Sequence, residues 1–186
     1  MEYCWEKDGF FLRSARSEEA EAYYTENFSP LDAETARLTG SKMLFTREEI
    51  ITYFRRFENH ENGYLFLLHD PSGKIIGESV INEIDREIMC ANFRIAMFRA
   101  DFRGRGLGTW VTKCTRDFAF EVLMLHRLEL NVFSFNPRAQ RVYEKAGFRV
   151  EGIRRDAVRD GHAYADDILM ALLEGEWRTL SPAPDF

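Results

Sequence analysis

A glycine-rich turn placed between an extended and a helical pattern is the first feature of this 186-residue sequence that could do chemistry. Gly104, Gly106 and Gly108 fall within five positions, so backbone N–H groups there lie open to close approach by a ligand. Where such a turn opens a helix, free N–H donors and the positive dipole end form an anion site. Arg103 and Arg105 add positive charge. The turn therefore predicts a phosphate or pyrophosphate site, with a purely structural glycine turn as the alternative.

A second segment, residues 136–148, combines helix signals with a tyrosine. Asn136 is a predicted N-cap, Pro137 suits the first helical position and Gly147 suits the helix end. Tyr143 shares one helix face with small alanines, which leave room for a ligand beside the ring. From the residues alone, a core tyrosine is the favoured interpretation and a functional one stays open.

The elements that position these segments follow from hydrophobic periodicity and turn residues. In chain order the sequence predicts a strand at 10–13, a helix from Ser17 to about Phe28, an irregular segment at 29–44, a helix from the Thr46–Glu49 capping box, strands at 64–69, 74–82 and 88–98, a helix over 107–125, a strand at 127–135, a helix from Pro137 and a hairpin over 148–158 and 162–172. The fold class is therefore α/β (α+β), with a mixed, mostly antiparallel sheet of about seven strands and about four helices.

Composition narrows the class of protein. A length of 186 residues with 45% hydrophobic residues fits one domain over 1–186 with a real core. The net charge of −6 offers no basic footprint for nucleic acid. Three cysteines and four histidines show no metal-ligand spacing, so no metal is expected. A basic, apolar leader and a membrane-spanning run are both missing from the pattern, so we expect a cytoplasmic protein that does not bind membranes.

Taken together, the two segments resemble the GNAT (GCN5-related N-acetyltransferase) superfamily. Residues 103–108 match its Q/R-x-x-G-x-G/A loop, and Asn136, Ala139, Tyr143, Gly147 and Phe148 match its second signature. The resemblance is good over about 74–172 and looser before it. Within the superfamily the chain looks most like the branch of spermidine and ribosomal-protein N-terminal acetyltransferases. A single-domain GNAT fold is implied, with variable acceptor-side helices at 1–63, an acetyl-CoA-binding core at 64–172 and a C-terminal tail at 173–186.

The resemblance also implies a cosubstrate, acetyl-CoA, and a role for each matched residue. Backbone N–H groups would hold the pyrophosphate, and they belong to Arg103, Gly104, Arg105, Gly106, Leu107 and Gly108. Met97 and Phe98 would pair with the pantetheine arm, and Asn136 would hydrogen-bond near the thioester. Tyr143 would donate a proton to the departing thiolate, which suits direct attack by an amine on the thioester.

The implied reaction is acetyl transfer to a primary amine of a polyamine, an amine metabolite or antibiotic, or a peptide N-terminus. Asn92 stands where the branch often has glutamate, so Glu83 is the candidate base, with Glu78 and Glu87 as alternatives. Asp32, Glu34 and neighbouring aromatic residues would suit an amine with an apolar body, although helix packing would explain the aromatics as well. A non-catalytic acyl-CoA sensor on the same fold is the second hypothesis, and a homodimer is left open.

Overall fold

The computed structural model describes residues 3–61 and 63–180, and these form one eight-stranded sheet. The strands are β1 Cys4–Lys7, β2 Phe10–Ser14, β3 Gly63–His69, β4 Ile75–Asp85, β5 Cys90–Met97, β6 Arg127–Phe133, β7 Arg149–Asp160 and β8 Ala163–Leu173. Their spatial order is β1-β2-β3-β4-β5-β6-β8-β7. Every neighbouring pair is antiparallel except β5 with β6. The predicted mixed, mostly antiparallel α/β fold is confirmed.

Helices cover both faces of this sheet. They are α1 Ala20–Asn27, α2 Ala33–Thr39, α3 Arg47–Arg55, α4 Leu107–Glu121, α5 Pro137–Lys145 and α6 Glu174–Trp177. Side chains alternate between faces along a strand, which gives two cores. Leu67 and Val80 pack with residues of α1, α2 and α3 on one face, whereas Leu68 and Ile81 pack with α4 on the other. The sheet is thus buried on both sides.

Several expected elements are confirmed, two expectations were wrong, and one strand was not anticipated. Thr46 accepts the Glu49 N–H at 3.2 Å, as the capping box predicted. The irregular segment 29–44 contains α2, because Asp32 caps its start and Gly40 ends it in the left-handed region at φ 68°. Arg16, and not Ser17, precedes a 3₁₀ turn that leads into α1. The first strand gains a partner, β1, across a tight turn.

The C-terminal tail expected at 173–186 begins with α6, which packs onto the domain. Trp177 stacks on Phe120 at 5.3 Å between ring centroids and donates its indole N–H to Asp117 at 2.8 Å. An aromatic ring with a satisfied N–H is a stable way to fasten a short helix. Residues 181–186 of the expected tail lie outside the described residues.

A partly buried ion cluster fastens the start of the helical layer to the sheet. Glu19, next to α1, accepts hydrogen bonds from Arg13 of β2 at 2.7 and 2.8 Å. Its carboxylate also lies 2.9 Å from the His69 ring nitrogen Nε2 of β3. Burial raises the pKa of Glu19, but the hydrogen bonds from His69 and Arg13 outweigh that effect and lower the pKa to about 2.

Candidate active site

The parallel strands β5 and β6 separate soon after they meet, and a cleft lies where they part. They pair at three positions, Cys90–Arg127, Ala91–Leu128 and Asn92–Glu129, and β5 continues to Met97 without its neighbour. The cleft has a volume of about 670 Å³ and is lined by β5, the ends of β6 and α2, the glycine-rich loop and α5. Ligands of α/β sheets bind at such carboxyl ends, where neighbouring strands diverge.

The glycine-rich loop opens α4 at one end of this cleft. Gly104 and Gly106 both have φ 79°, which other residues adopt only with strain, and no atom lies within 4 Å of the position a Cβ would occupy. Gly106 is the N-cap and supplies no side chain. Within the described residues, the N–H groups of Gly104 and of Gly106 to Thr109 donate to no protein acceptor. The loop therefore presents a row of free N–H donors and the positive end of α4.

Arg103 differs from its loop neighbours because its donors are already used within the protein. Its N–H donates to the Ala100 carbonyl at 3.0 Å. Its guanidinium donates to Asp32 at 2.5 Å, to Thr35 Oγ1 at 2.6 Å and to Glu34. With the side chain 8% exposed, Arg103 links the loop to α2. The positive charge expected from it at the phosphate site is neutralised by these carboxylates.

The same contacts give a different role to Asp32 and Glu34, the acidic residues expected to receive an amine. Asp32 caps α2 by accepting the Thr35 N–H at 2.8 Å and also accepts from Arg103. Burial raises its pKa, but these hydrogen bonds lower it overall. Glu34 pairs with Arg103 and with Arg138 at 3.3 Å. Both acids are therefore paired with arginines at the end of the cleft beside the glycine-rich loop.

The sequence reasoning missed three cations on α5. Arg138, Arg141 and Lys145 all line the cleft. Their spacing of three and four residues places them on one helix face, and the α5 pattern could have revealed them. Arg105, by contrast, lies over the Phe102 ring at 5.2 Å and is exposed. The three α5 residues, the α5 stripe, bring positive charge to the cleft, although Arg138 shares the Glu34 carboxylate with Arg103.

Met97 and Phe98 have different surroundings at the end of β5. The Phe98 N–H donates to Ile76 at 2.9 Å, toward β4, and its ring packs beneath α1 against Tyr23 and Phe28. Because N–H directions alternate along a strand, Met97 faces the side that β6 has left. Its carbonyl accepts from Thr35 Oγ1 at 3.1 Å, on that side. Met97 lines the cleft and Phe98 lies in the core.

Asn136 and Tyr143 enter the cleft from α5. Asn136 caps the helix by accepting the Ala139 N–H at 3.1 Å, as its position predicted. Tyr143 is 6% exposed and packs edge-on to Phe93, with 6.2 Å between ring centroids. Burial raises the pKa of Tyr143, so its phenol stays protonated at neutral pH. Buried Arg116 donates to the Ala146 carbonyl at 2.8 Å and so fixes the end of α5.

The candidate bases lie in three different environments. Glu83 is exposed and lines the cleft, in a bulge where two residues of β4 oppose one of β5. Its φ of 53° is unusual for a residue other than glycine, and bulges commonly redirect a side chain at functional sites. Glu87 is exposed in the following turn. Glu78 is half-buried under α1, away from the cleft lining.

Glu78 belongs to a polar cluster that the sequence did not reveal. Tyr23 donates its hydroxyl to Glu78, and Arg94 donates to the Tyr53 hydroxyl at 2.9 Å. Burial raises the pKa of Glu78, although the Arg94 cation and the Tyr23 hydroxyl act in the opposite direction. Arg94 is exposed and lines the cleft. The cluster therefore places one cation in the cleft beside α3, supported from behind by a carboxyl group and two phenols.

The fold is a single-domain α/β fold with a cleft between two diverging strands, beside a glycine-rich helix start. The family model for the acetyltransferase (GNAT) domain matches residues 10–149. The chain belongs to this family of N-acetyltransferases.

Curated relatives agree with that assignment. The probable N-acetyltransferase YjcK of Bacillus subtilis is 31% identical over 127 residues, which cover 68% of this chain and 70% of the relative. The putative ribosomal N-acetyltransferase YdaF of the same organism is 30% identical over 132 residues, 70% of each chain. The spermidine N(1)-acetyltransferase of Escherichia coli K12 is 39% identical over 97 residues, and the match spans half of that relative's length.

Solved structures share the fold at low sequence identity. The Vibrio cholerae spermidine N-acetyltransferase, in complex with CoA and spermine, has a TM-score of 0.81 at 20% identity and covers 93% of this chain and 100% of its own. The ribosomal-protein-S5-alanine acetyltransferase of Vibrio fischeri has a TM-score of 0.80 at 20% identity, covering 94% and 98%. In the part of the chain that the structure describes, no helix could cross a membrane and no acidic, cysteine and histidine group could hold a metal.

Proposed function

We propose that this chain transfers an acetyl group from acetyl-CoA to a primary amine by direct attack, with both substrates bound in the cleft. The observation that carries the proposal is the divergence of β5 from β6 beside an uncapped helix start. The divergence leaves one strand edge unpaired, and the helix start leaves N–H donors free. Together they fit a ligand with an extended amide-containing arm and a diphosphate.

The residues around the cleft fit this cosubstrate in order along its length. The N–H groups from Gly104 to Gly108 receive the pyrophosphate, which includes those of Arg105, Gly106 and Leu107. The α5 cations Arg138, Arg141 and Lys145 contribute charge to the same end. The β5 edge at Met97 pairs with the pantetheine amides, as an added strand would. Asn136 lines the same cleft as Met97 and Tyr143, and we assign it to the thioester end.

The reaction forms one N–C bond, breaks one C–S bond and moves a proton off the amine. Glu83 is the exposed carboxylate at the cleft and takes that proton, directly or through water. Tyr143 keeps its own proton at neutral pH because burial raises its pKa. Its hydroxyl can therefore donate a hydrogen bond to the sulfur as negative charge builds there. No covalent intermediate is required, so the three cysteines need no catalytic role.

The acceptor is a primary amine of a polyamine, a small metabolite or antibiotic, or a peptide N-terminus. The relatives described as spermidine and ribosomal-protein acetyltransferases motivate the first and last of these. A homodimer also remains a proposal, supported by the largely exposed edge strand β7 with Val150 and Ile153 at its surface. We place the protein in the cytoplasm, where acetyl-CoA is made and used.

A coupled thiol-release assay with a panel of amines tests the proposed reaction. We expect thiol release that depends on both acetyl-CoA and one class of amine, together with acetyl-CoA binding by calorimetry. The second candidate, a non-catalytic acyl-CoA sensor, is favoured by Asn92 at a position where the sequence resemblance implies glutamate. Tight acetyl-CoA binding with no thiol release from any amine would favour the sensor. Failure to bind acetyl-CoA at all would overturn both candidates.

A further inference from the structure

Arg94 is a cation at the acceptor side of the cleft that the proposed acetyl transfer does not use. It lies on β5, two residues from Asn92 on the same face, and is exposed into the cleft. The Tyr53 hydroxyl accepts one of its five N–H donors at 2.9 Å. Within residues 3–61 and 63–180, no carboxylate lies within 4 Å of its guanidinium, although Glu78 attracts it from a longer distance. Arg94 is therefore held in place from α3 while most of its donors stay available to a ligand.

The charges around the cleft do not suit a polycation. Its lining contains the basic residues Arg94, Arg103, Arg138, Arg141 and Lys145, and one acidic residue, Glu83. Asp32 and Glu34, the other nearby acids, neutralise Arg103. The diphosphate of the cosubstrate would neutralise the α5 stripe. What remains in the lining of the acceptor side is one cation, Arg94, which Glu78 supports from behind the lining, and one carboxylate, Glu83.

These two groups stand apart along the sheet. Asn82 pairs with Asn92, and the bulge places Glu83 opposite Ala91. Arg94 is three residues further along β5 from Ala91, about 10 Å at about 3.4 Å per residue. A molecule that meets both groups must carry opposite charges at separated positions. A protonated amine near Glu83 and a carboxylate near Arg94 satisfy that requirement, whereas a polyamine brings a second cation to Arg94.

We propose that the acceptor is an aminocarboxylate, and that Arg94 binds its carboxylate while the amine lies toward Glu83. This proposal rests on the proposed acetyl transfer and narrows its acceptor. A guanidinium matches a carboxylate in two parallel hydrogen bonds, which lysine cannot reproduce. Tyr53 acts as a positioning residue, because its hydroxyl holds the guanidinium.

The experiment compares amines that differ in the carboxylate alone. Thiol release is measured with a series of ω-amino acids of increasing length, with the n-alkylamines of matching length and with spermidine. Two tetrapeptides, with aspartate or asparagine as the second residue, test a peptide source of the same carboxylate. The enzymes are wild type, Arg94→Gln, Arg94→Lys and Tyr53→Phe. Arg55→Gln, an exposed arginine on α3 outside the cleft, is the matched control.

In wild type, we expect kcat/KM for the best aminocarboxylate to exceed that of its alkylamine by about 10- to 100-fold, the usual worth of a charge-assisted pair. Arg94→Gln should remove this preference through KM, with alkylamine turnover retained. Arg94→Lys and Tyr53→Phe should keep part of it, and Arg55→Gln all of it. Spermidine as the best acceptor, or an unchanged preference in Arg94→Gln, would overturn the proposal alone. Alkylamine turnover by Arg94→Gln shows that the transferase itself is intact, whereas no turnover of any amine by wild type would overturn both proposals.

Discussion

Replacing Tyr143 with phenylalanine removes one oxygen atom and leaves the rest of the cleft in place. The ring packs edge-on to Phe93 and Phe148, both about 6.2 Å away between centroids, and phenylalanine preserves those contacts. Within the described residues, the Tyr143 hydroxyl makes no hydrogen bond to a protein atom. We therefore expect the free energy of unfolding to fall by less than about 1 kcal/mol, because no native hydrogen bond is lost. Acetyl-CoA affinity should also survive.

Turnover should respond far more than stability. If the hydroxyl stabilises the departing sulfur, kcat should fall about 10²- to 10⁴-fold, equivalent to about 3–5 kcal/mol of barrier. The loss should appear in kcat and not in KM, because the interaction strengthens only as charge builds. Burial raises the pKa of Tyr143 above its ordinary value of 10. Its deprotonation should therefore cause no loss of wild-type activity between pH 7 and 10.

The assay is steady-state thiol release between pH 6 and 10 with acetyl-CoA and with an acetyl donor whose thiol is more acidic. The defect of Tyr143→Phe should shrink with the second donor, since that sulfur needs less help to leave. Tyr64→Phe is the control, because this half-buried tyrosine packs on Phe118 outside the cleft. Near-normal kcat in Tyr143→Phe would show that Tyr143 has only a packing role, and would refute its assignment as the hydrogen-bond donor to the sulfur.

Three further perturbations test other parts of the structure. Gly106→Ala should weaken acetyl-CoA binding at least about tenfold in calorimetry. The control is Gly161→Ala, at φ 62° with equally open surroundings, which incurs similar backbone strain and should bind acetyl-CoA normally. Equal affinities of the two variants would contradict the loop assignment. Glu83→Gln should lower kcat/KM about 10²-fold at pH 7, and the activity of the variant should recover toward pH 10, where more amine is neutral. The control Glu87→Gln, at an exposed residue, should match wild type. A defect of Glu83→Gln that does not depend on pH would exclude Glu83 as the base. Glu19→Gln should lower the free energy of unfolding, measured with urea at pH 7, by on the order of 2–3 kcal/mol. Burial raises the Glu19 pKa but its hydrogen bonds lower it from 4.5 to about 2, so this stabilisation is complete above pH 4.5 and lost as pH falls toward 2; an equal cost at pH 7 and pH 2.5 would refute it.

The regular part of the fold could be predicted because its signals are local. The Thr46 capping box, the turn after β3 and the alternation of β5 each depend on neighbouring residues. The signals for α2 were local too, since Asp32 is an N-cap and Gly40 a C-cap, but seven residues between them give a weak periodicity. The β1 strand has four residues and gains its stability from pairing with β2. Short elements of this kind depend on tertiary contacts that periodicity does not record.

The residues of the candidate site also divide into those that a local sequence signal identifies and those that it does not. The loop glycines and Tyr143 were identified because a motif fixes their positions within one segment. The partners of Arg103 lie 68 to 71 residues away in sequence, and no local pattern connects them. The same holds for Tyr23 and Glu78, which are separated by 55 residues. Which charges reach the cleft is therefore a property of the assembled sheet and helices.

The charge of the cleft shows why composition misleads about the acceptor. A net charge of −6 would attract a cationic molecule at long range, yet two of the acidic residues beside the cleft are already paired. Asp32 and Glu34 meet Arg103, and this contact joins the cofactor loop to α2. The charge that an acceptor meets is then set by Arg94 and Glu83, one of each sign, and not by the chain as a whole.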